Sequence, residues 1–154
     1  IKATLFYLLV YTFMNLGAFA AVILIVNSLK SENIDDFSGL YKKDPVTAVI
    51  LTIMLLSLAG IPPLAGFLAK FFVLAAAVEA QLTALAIAAV INTVIGLYYY
   101  VRIIKVMFFH EPRDTQEIEK SPGLQMAAVI AAVATIVIGI WPEPVLHWLK
   151  LLLI

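Results

Sequence analysis

Residues 58–72 read Leu58-Ala59-Gly60-Ile61-Pro62-Pro63-Leu64-Ala65-Gly66-Phe67-Leu68-Ala69-Lys70-Phe71-Phe72. A proline pair and two glycines stand inside a strongly apolar region, followed by one lysine among hydrocarbon side chains. Pro62 and Pro63 have no amide hydrogens to give the carbonyls of Leu58 and Ala59, and Ile61 is pushed away from helical dihedrals by the proline after it. The sequence therefore predicts a helix broken at Gly60, Pro62, Pro63 and Gly66. In lipid, such a break survives only where protein or a water-filled cavity satisfies the freed backbone groups. Lys70 strengthens the case for a site, because a charge at the bilayer centre costs roughly 2.5 to 3.5 kcal/mol even on insertion scales.

Around this stretch the composition defines an integral membrane protein. Of 154 residues, 64% are hydrophobic and mean hydropathy is +1.06. Charged residues make up 13%, about half the share in an ordinary soluble domain. The apolar runs suit helices of about 20 residues and are too long for barrel strands of about 9 to 11. The expected fold is all-α: a polytopic transmembrane helix bundle with one discontinuous helix, in a single membrane domain over residues 1–154. Because the sequence begins at Ile1 and has no signal-peptide pattern, we expect the C-terminal portion of a longer protein.

Formal net charge is zero, which gives no reason to expect nucleic acid or an acidic substrate as partner. The absence of cysteine rules out disulfides, thiol catalysis and thiolate metal sites in this chain. Its two histidines, His110 and His147, are too scattered to suggest a metal centre.

The expected spans cover residues 4–28, 46–79 with the break near 60–66, 82–105 and 123–140, followed by an interfacial tail over 144–154. In the first, Thr4, Tyr7, Tyr11 and Asn15 share a helical face. That stripe supplies either interhelical hydrogen bonds or a wet polar path toward Lys70. Ala89, Asn92, Gly96 and Tyr99 share a face of the third span, with Asn92 as a packing contact or a further member of the path. Ala128, Ala132, Thr135 and Gly139 give the fourth span a small-residue stripe suited to close packing. The second span, if continuous, would measure roughly 50 Å against a core of about 30 Å, so length also demands a break. Counting back from Glu79 puts Lys70 about 13 Å deep.

The two charged stretches, 29–45 and 106–122, read as solvated loops, with residues 33–40 suited to a short interfacial helix. They and their flanks hold Lys30, Lys42, Lys43, Arg102, Lys105, Arg113 and Lys120, whereas the other side has Lys2 and Lys150. The positive-inside rule makes the loop side cytoplasmic and both ends of the segment outward. An amine at Lys70 that is charged in one state and neutral in another can carry a proton. The competing structural reading is a lysine whose charge is held by a fixed acidic partner.

The motif Leu-Ser-Leu-Ala-Gly-Ile-Pro-Pro-Leu-Ala-Gly-Phe-Leu-Ala-Lys-Phe, at residues 56–71, resembles the broken-helix motif of a known family. These are the antiporter-like membrane subunits of proton-pumping NADH:quinone oxidoreductase, respiratory complex I. Tyr7-Leu-Leu-Val-Tyr11, Leu16-Gly-Ala-Phe19 and Gly96-Leu-Tyr-Tyr-Tyr-Val-Arg102 look most like its subunit N type. The M-type sister usually carries glutamate where Lys70 stands. The resemblance implies the last four of fourteen transmembrane helices in a multi-subunit translocase, with Lys70 in the outward part of a proton channel. It also implies a bacterial inner-membrane location, other complex I membrane subunits as partners, and bilayer lipid, protons and water as surroundings. No cofactor is expected in this chain; FMN, iron–sulfur clusters and quinone would belong to partner subunits. Two alternatives stay open, an Mrp-type cation/proton antiporter subunit and a structural membrane subunit without its own proton path.

Overall fold

The computed structural model describes residues 1–113, 118–119 and 121–151. Asp114, Glu117 and Lys120 of the second charged stretch, and residues 152–154 of the tail, lie outside the described residues.

The described chain is helical: α1 Lys2–Leu29, a 3-10 turn at Ile34–Phe37, α2 Leu40–Lys43, α3 Pro45–Ala59, α4 Ala65–Glu79, α5 Thr83–Phe109, α6 Pro122–Ile140 and α7 Glu143–Leu151. Among the described residues, α1, α5 and α6 are each long and apolar enough to cross a membrane unbroken. The pair α3 and α4 has 15 residues in each half, about 22 Å apiece, so neither half alone covers the hydrocarbon core.

The limits of α3 follow from its end residues. At its start Pro45 occupies the first turn, where a missing N–H costs nothing. Asp44 caps it, accepting the Thr47 amide at 3.2 Å and the Thr47 hydroxyl at 2.6 Å. At its end Gly60 adopts a left-handed φ of 85°. The Gly60 amide donates to the Ser57 carbonyl at 2.9 Å and the Ile61 amide to Leu56 at 3.1 Å, the paired bonds of a Schellman termination. That closes two of the last carbonyls and leaves Leu58 and Ala59, whose helical donors would have been Pro62 and Pro63.

Helix α1 is central, packing against α6, α4 and α3, with α5 laid on the outer side of α3 and α4. One core gathers Ala21, Leu24, Ile25, Leu51, Met54, Met107 and Ala132 toward the loop side. A second gathers Phe6, Val10, Met14, Ala65, Ala69, Ile138 and Leu149 toward the other side. Leu149 of α7 thus docks on α1, so the tail is tied to the bundle as well as amphipathic.

Two expectations need correction. Stretch 29–45 is not simply solvated: Phe37 and Leu40 are buried in the first core. Stretch 106–122 starts as helix, since α5 runs on to Phe109. It later returns to the bundle, where Ile118 is buried and the Glu119 amide donates to the Ser28 hydroxyl at 2.8 Å. Lys42 pairs with Glu111 at 2.6 Å, and Arg113 reaches Asp35 and Asp36 at 3.7 and 3.6 Å. Charge runs look solvated in one dimension, but the apolar residues between them are numerous enough to pin both loops to the bundle end.

The small-residue stripe of α6 does what its composition suggests. Ala128, Ala132 and Thr135 are buried, and a Cβ on Gly139 would lie 2.2 Å from the Pro63 carbonyl oxygen. Backbone from the helix break therefore rests directly on α6, and only glycine leaves room for it.

Candidate functional site

The two half-helices are joined side to side by Ser57, which is fully buried. Its hydroxyl accepts the Gly66 amide at 3.0 Å and points its own hydrogen at the Met14 sulfur, 2.8 Å away. Gly66 lies in the first turn of α4, where amides have no partner within the helix; a side chain of α3 supplies one. The approach is so close that a Cβ on Gly66 would sit 1.9 Å from the Ser57 carbonyl oxygen. Gly60, Pro62, Pro63 and Gly66 are thus all part of the break, the prolines linked by a cis peptide bond.

Lys70 projects back across this junction. Its ammonium donates to the Leu58 carbonyl at 2.8 Å, one of the two carbonyls that the prolines leave without a helical donor. The lysine therefore acts as a terminal cap for α3, and the negative end of that half-helix faces the cation. Its stem lies along Gly60, where a Cβ would come within 3.1 Å of the Lys70 Cδ.

Beside this contact is a cavity of about 360 Å³ whose walls include Tyr7, Lys70, Asn92, Thr93, Gly96 and Tyr100. At about 30 Å³ per molecule, such a space has room for roughly ten waters. Of the expected polar path, Tyr7 and Asn92 reach this cavity. Tyr11 and Asn15 do not line it: Tyr11 stacks on Tyr7 at 5.6 Å between ring centroids, and the Asn15 amide group is turned onto the Tyr11 carbonyl at 2.7 Å. On α5 the tyrosine at the cavity is Tyr100, not Tyr99, which is exposed.

Sequence reasoning missed Ser57, Thr93 and Tyr100 as parts of the site. Ser57 could have been found from its spacing, nine residues before an unpaired first-turn amide. Tyr100 could have been found from its register, since it stands four residues after Gly96 and eight after Asn92 on the same helical face, with Tyr98 on the opposite one. Among the described residues, no three His, Cys, Asp or Glu side chains are grouped as metal ligands.

Chemically, the arrangement holds one amine at a cavity bordered by phenols and an amide, against a carbonyl that accepts from it in either protonation state. An ammonium donates three hydrogens and a neutral amine two, so the Leu58 bond survives loss of a proton while a remaining hydrogen or lone pair faces the cavity.

The family described as NADH:quinone oxidoreductase/Mrp antiporter, TM, matches residues 1–96. A NADH-quinone oxidoreductase subunit N of Koribacter versatilis is 46% identical over 148 residues, 93% of this chain and 28% of that protein. One from Solibacter usitatus is 44% identical over 154 residues, 96% of this chain and 30% of the relative. A chain of respiratory complex I from Thermus thermophilus superposes with a TM-score of 0.83 at 30% identity, covering 95% of this chain and 34% of its own. A chain of the Mrp complex from a Dietzia species gives a TM-score of 0.86 at 24% identity, over 97% and 36%, a likeness of fold. The chain spans about 30% of the length of the curated relatives it matches.

Proposed function

The chain belongs to the NADH:quinone oxidoreductase/Mrp antiporter transmembrane family, and from that premise we propose that it forms part of a proton-translocating membrane subunit of NADH:quinone oxidoreductase. The whole would be a translocase driven by quinone reduction in other subunits, with FMN and iron–sulfur clusters held there as well. Its partners would be other membrane subunits, lipid, protons and water. The setting would be a bacterial inner membrane, with the side bearing Lys30, Lys42, Lys43, Arg102, Lys105 and Arg113 cytoplasmic and both ends of the segment outward.

The observation that carries this reading is the Lys70 ammonium, 2.8 Å from the Leu58 carbonyl at the break and bordering the cavity with Tyr7 and Asn92. Lys70 gives a proton to water in that cavity and takes another from the opposite side of the path. The Leu58 carbonyl holds the amine in place through both steps, while Tyr7 and Asn92 order the water it exchanges with. Gly60, Pro62, Pro63 and Gly66 serve by keeping the helix open at the depth where the amine must stand.

The test is Lys70→Ala in the full-length subunit within its assembled complex, with proton uptake by sealed vesicles measured beside NADH oxidation. Loss of coupled pumping with the complex still assembled is expected; unchanged coupling defeats the proposal. An Mrp-type antiporter, which the family description also names, would instead copurify without flavin or iron–sulfur subunits and respond to Na⁺. A purely structural subunit would tolerate Lys70→Met while failing to assemble when Gly139 is enlarged.

A further inference from the structure

Hydroxyls inside the helices of this chain follow one habit. Thr12, Ser28, Thr52 and Thr93 each donate to the carbonyl four residues back in their own helix, at 2.8 to 2.9 Å, the usual resting place for such a group. Ser57 departs from it. Its hydroxyl is turned off α3, accepting the Gly66 amide of α4 at 3.0 Å and donating to the Met14 sulfur of α1 at 2.8 Å. A thioether is a weak acceptor, so its success over the Ile53 carbonyl, one turn back in α3, has to come from packing.

Met14 supplies that packing. Its side chain is buried with Ala65 and Ala69 in the second core, and its sulfur would lie 2.9 Å from a Cβ on Gly66. Sulfur, hydroxyl and amide therefore form a row that crosses α1, α3 and α4. Met14, Ser57 and Gly66 are all buried by the helices described above, so the row does not depend on what lies against the outer faces of the bundle.

Gly66 and Lys70 are four residues apart in α4, one turn and about 6 Å along the same face. Ser57 and Leu58 are consecutive in α3. Fixing the Gly66 amide on the Ser57 hydroxyl thus sets the depth and rotation of α4 at which the Lys70 ammonium meets the Leu58 carbonyl, 2.8 Å away. Resting on the reading that Lys70 carries the proton, we propose that Ser57 and Met14 are positioning residues for Lys70. The sulfur holds the hydroxyl off its own helix, and the hydroxyl holds α4 where the amine reaches both the Leu58 carbonyl and the cavity. Without the sulfur, the Ser57 hydrogen turns to the Ile53 carbonyl as the other hydroxyls do, and the Gly66 amide loses its acceptor. Helix α4 is then free to slip at its start. A serine that served only stability would be needed for assembly, and not for coupling in complexes that have assembled.

The experiment measures proton uptake per NADH oxidised, across a pH series, in sealed vesicles holding the full-length subunit in its assembled complex. Met14→Leu keeps the side-chain volume and removes the acceptor, while Ser57→Ala removes the hydroxyl. Thr52→Val, which loses a hydroxyl bonded within α3, is the control and should match the unmodified complex. Met14→Leu and Ser57→Ala should each lower uptake per NADH at least about threefold, since small misplacements of a reacting group carry penalties of that order or larger. Each should also move the pH of half-maximal uptake by at least about half a unit. Unchanged uptake per NADH in assembled Met14→Leu overturns the proposal, as does lowered uptake with an unmoved pH profile, the mark of a structural defect alone. Should Ser57→Ala not assemble, Met14→Leu decides by itself. Lys70→Ala, measured in parallel, separates the two readings. Normal pumping there defeats the proton-carrying role of Lys70, whereas loss there with normal pumping in Met14→Leu defeats only the positioning role.

Discussion

Replacing Ser57 with alanine removes a single oxygen and adds nothing, yet it should loosen the whole break. That oxygen is the acceptor for the Gly66 amide at 3.0 Å, at a fully buried position. Closure of the gap by water is opposed by the packing that puts a Gly66 Cβ position only 1.9 Å from the Ser57 carbonyl oxygen and 2.9 Å from the Met14 sulfur. An amide stranded in that way costs about 1 to 3 kcal/mol, and the weak hydrogen bond to sulfur adds little. Taking about 2 kcal/mol as the centre, local opening at the start of α4 becomes roughly 30-fold more frequent. The assay is amide hydrogen exchange of the full-length subunit in detergent or nanodiscs, followed at Gly66 and Phe67 in Ser57→Ala beside the unmodified protein. Faster exchange confined to the start of α4 is expected, while the amides of α6 keep their protection. Unaltered exchange at Gly66 would refute the reasoning, because it would mean that this amide does not rely on the Ser57 hydroxyl.

Other consequences follow from single contacts. Gly139→Ala sets a methyl 2.2 Å from the Pro63 carbonyl oxygen, so α6 must move off the break; a loss of about 1 to 3 kcal/mol should appear as lowered thermal stability of the assembled subunit. Asp44→Ala removes the α3 cap and should destabilise by about 1 kcal/mol in denaturant titration, with Asp44→Asn recovering most of it. Asp36 is held below the ordinary carboxylate range by the Ser31 hydroxyl first, and by Asn33 and Arg113. A lowered folded-state value means that its contribution to loop order is present above about pH 4 and is lost as pH falls through the folded value. Ser31→Ala should therefore move the Asp36 titration upward when followed by carboxyl carbon NMR. The Lys42–Glu111 pair is solvent-exposed on both sides, so Lys42→Met should change stability by less than about 1 kcal/mol, and that small change should vanish in high salt.

The sequence alone determined where the helix breaks. A proline's missing N–H is a covalent property, so the open carbonyls of Leu58 and Ala59 could be named without coordinates. Hydropathy likewise set the all-helical membrane class and the approximate extent of the long helices. What only the tertiary structure decided is which groups meet across the break: Lys70 on the Leu58 carbonyl, Ser57 on the Gly66 amide, and Tyr7, Asn92 and Tyr100 round one cavity while Tyr11 and Asn15 stay outside. It also decided that Phe37 and Ile118 anchor loops that look solvated as a string of charges. The physical reason lies in the helices themselves. Helices that are apolar on every side present no favoured face, so their rotation about their own axes is set by close contacts such as Gly17 against Ala131 and Gly139 against Pro63, and those contacts exist only once the helices have packed.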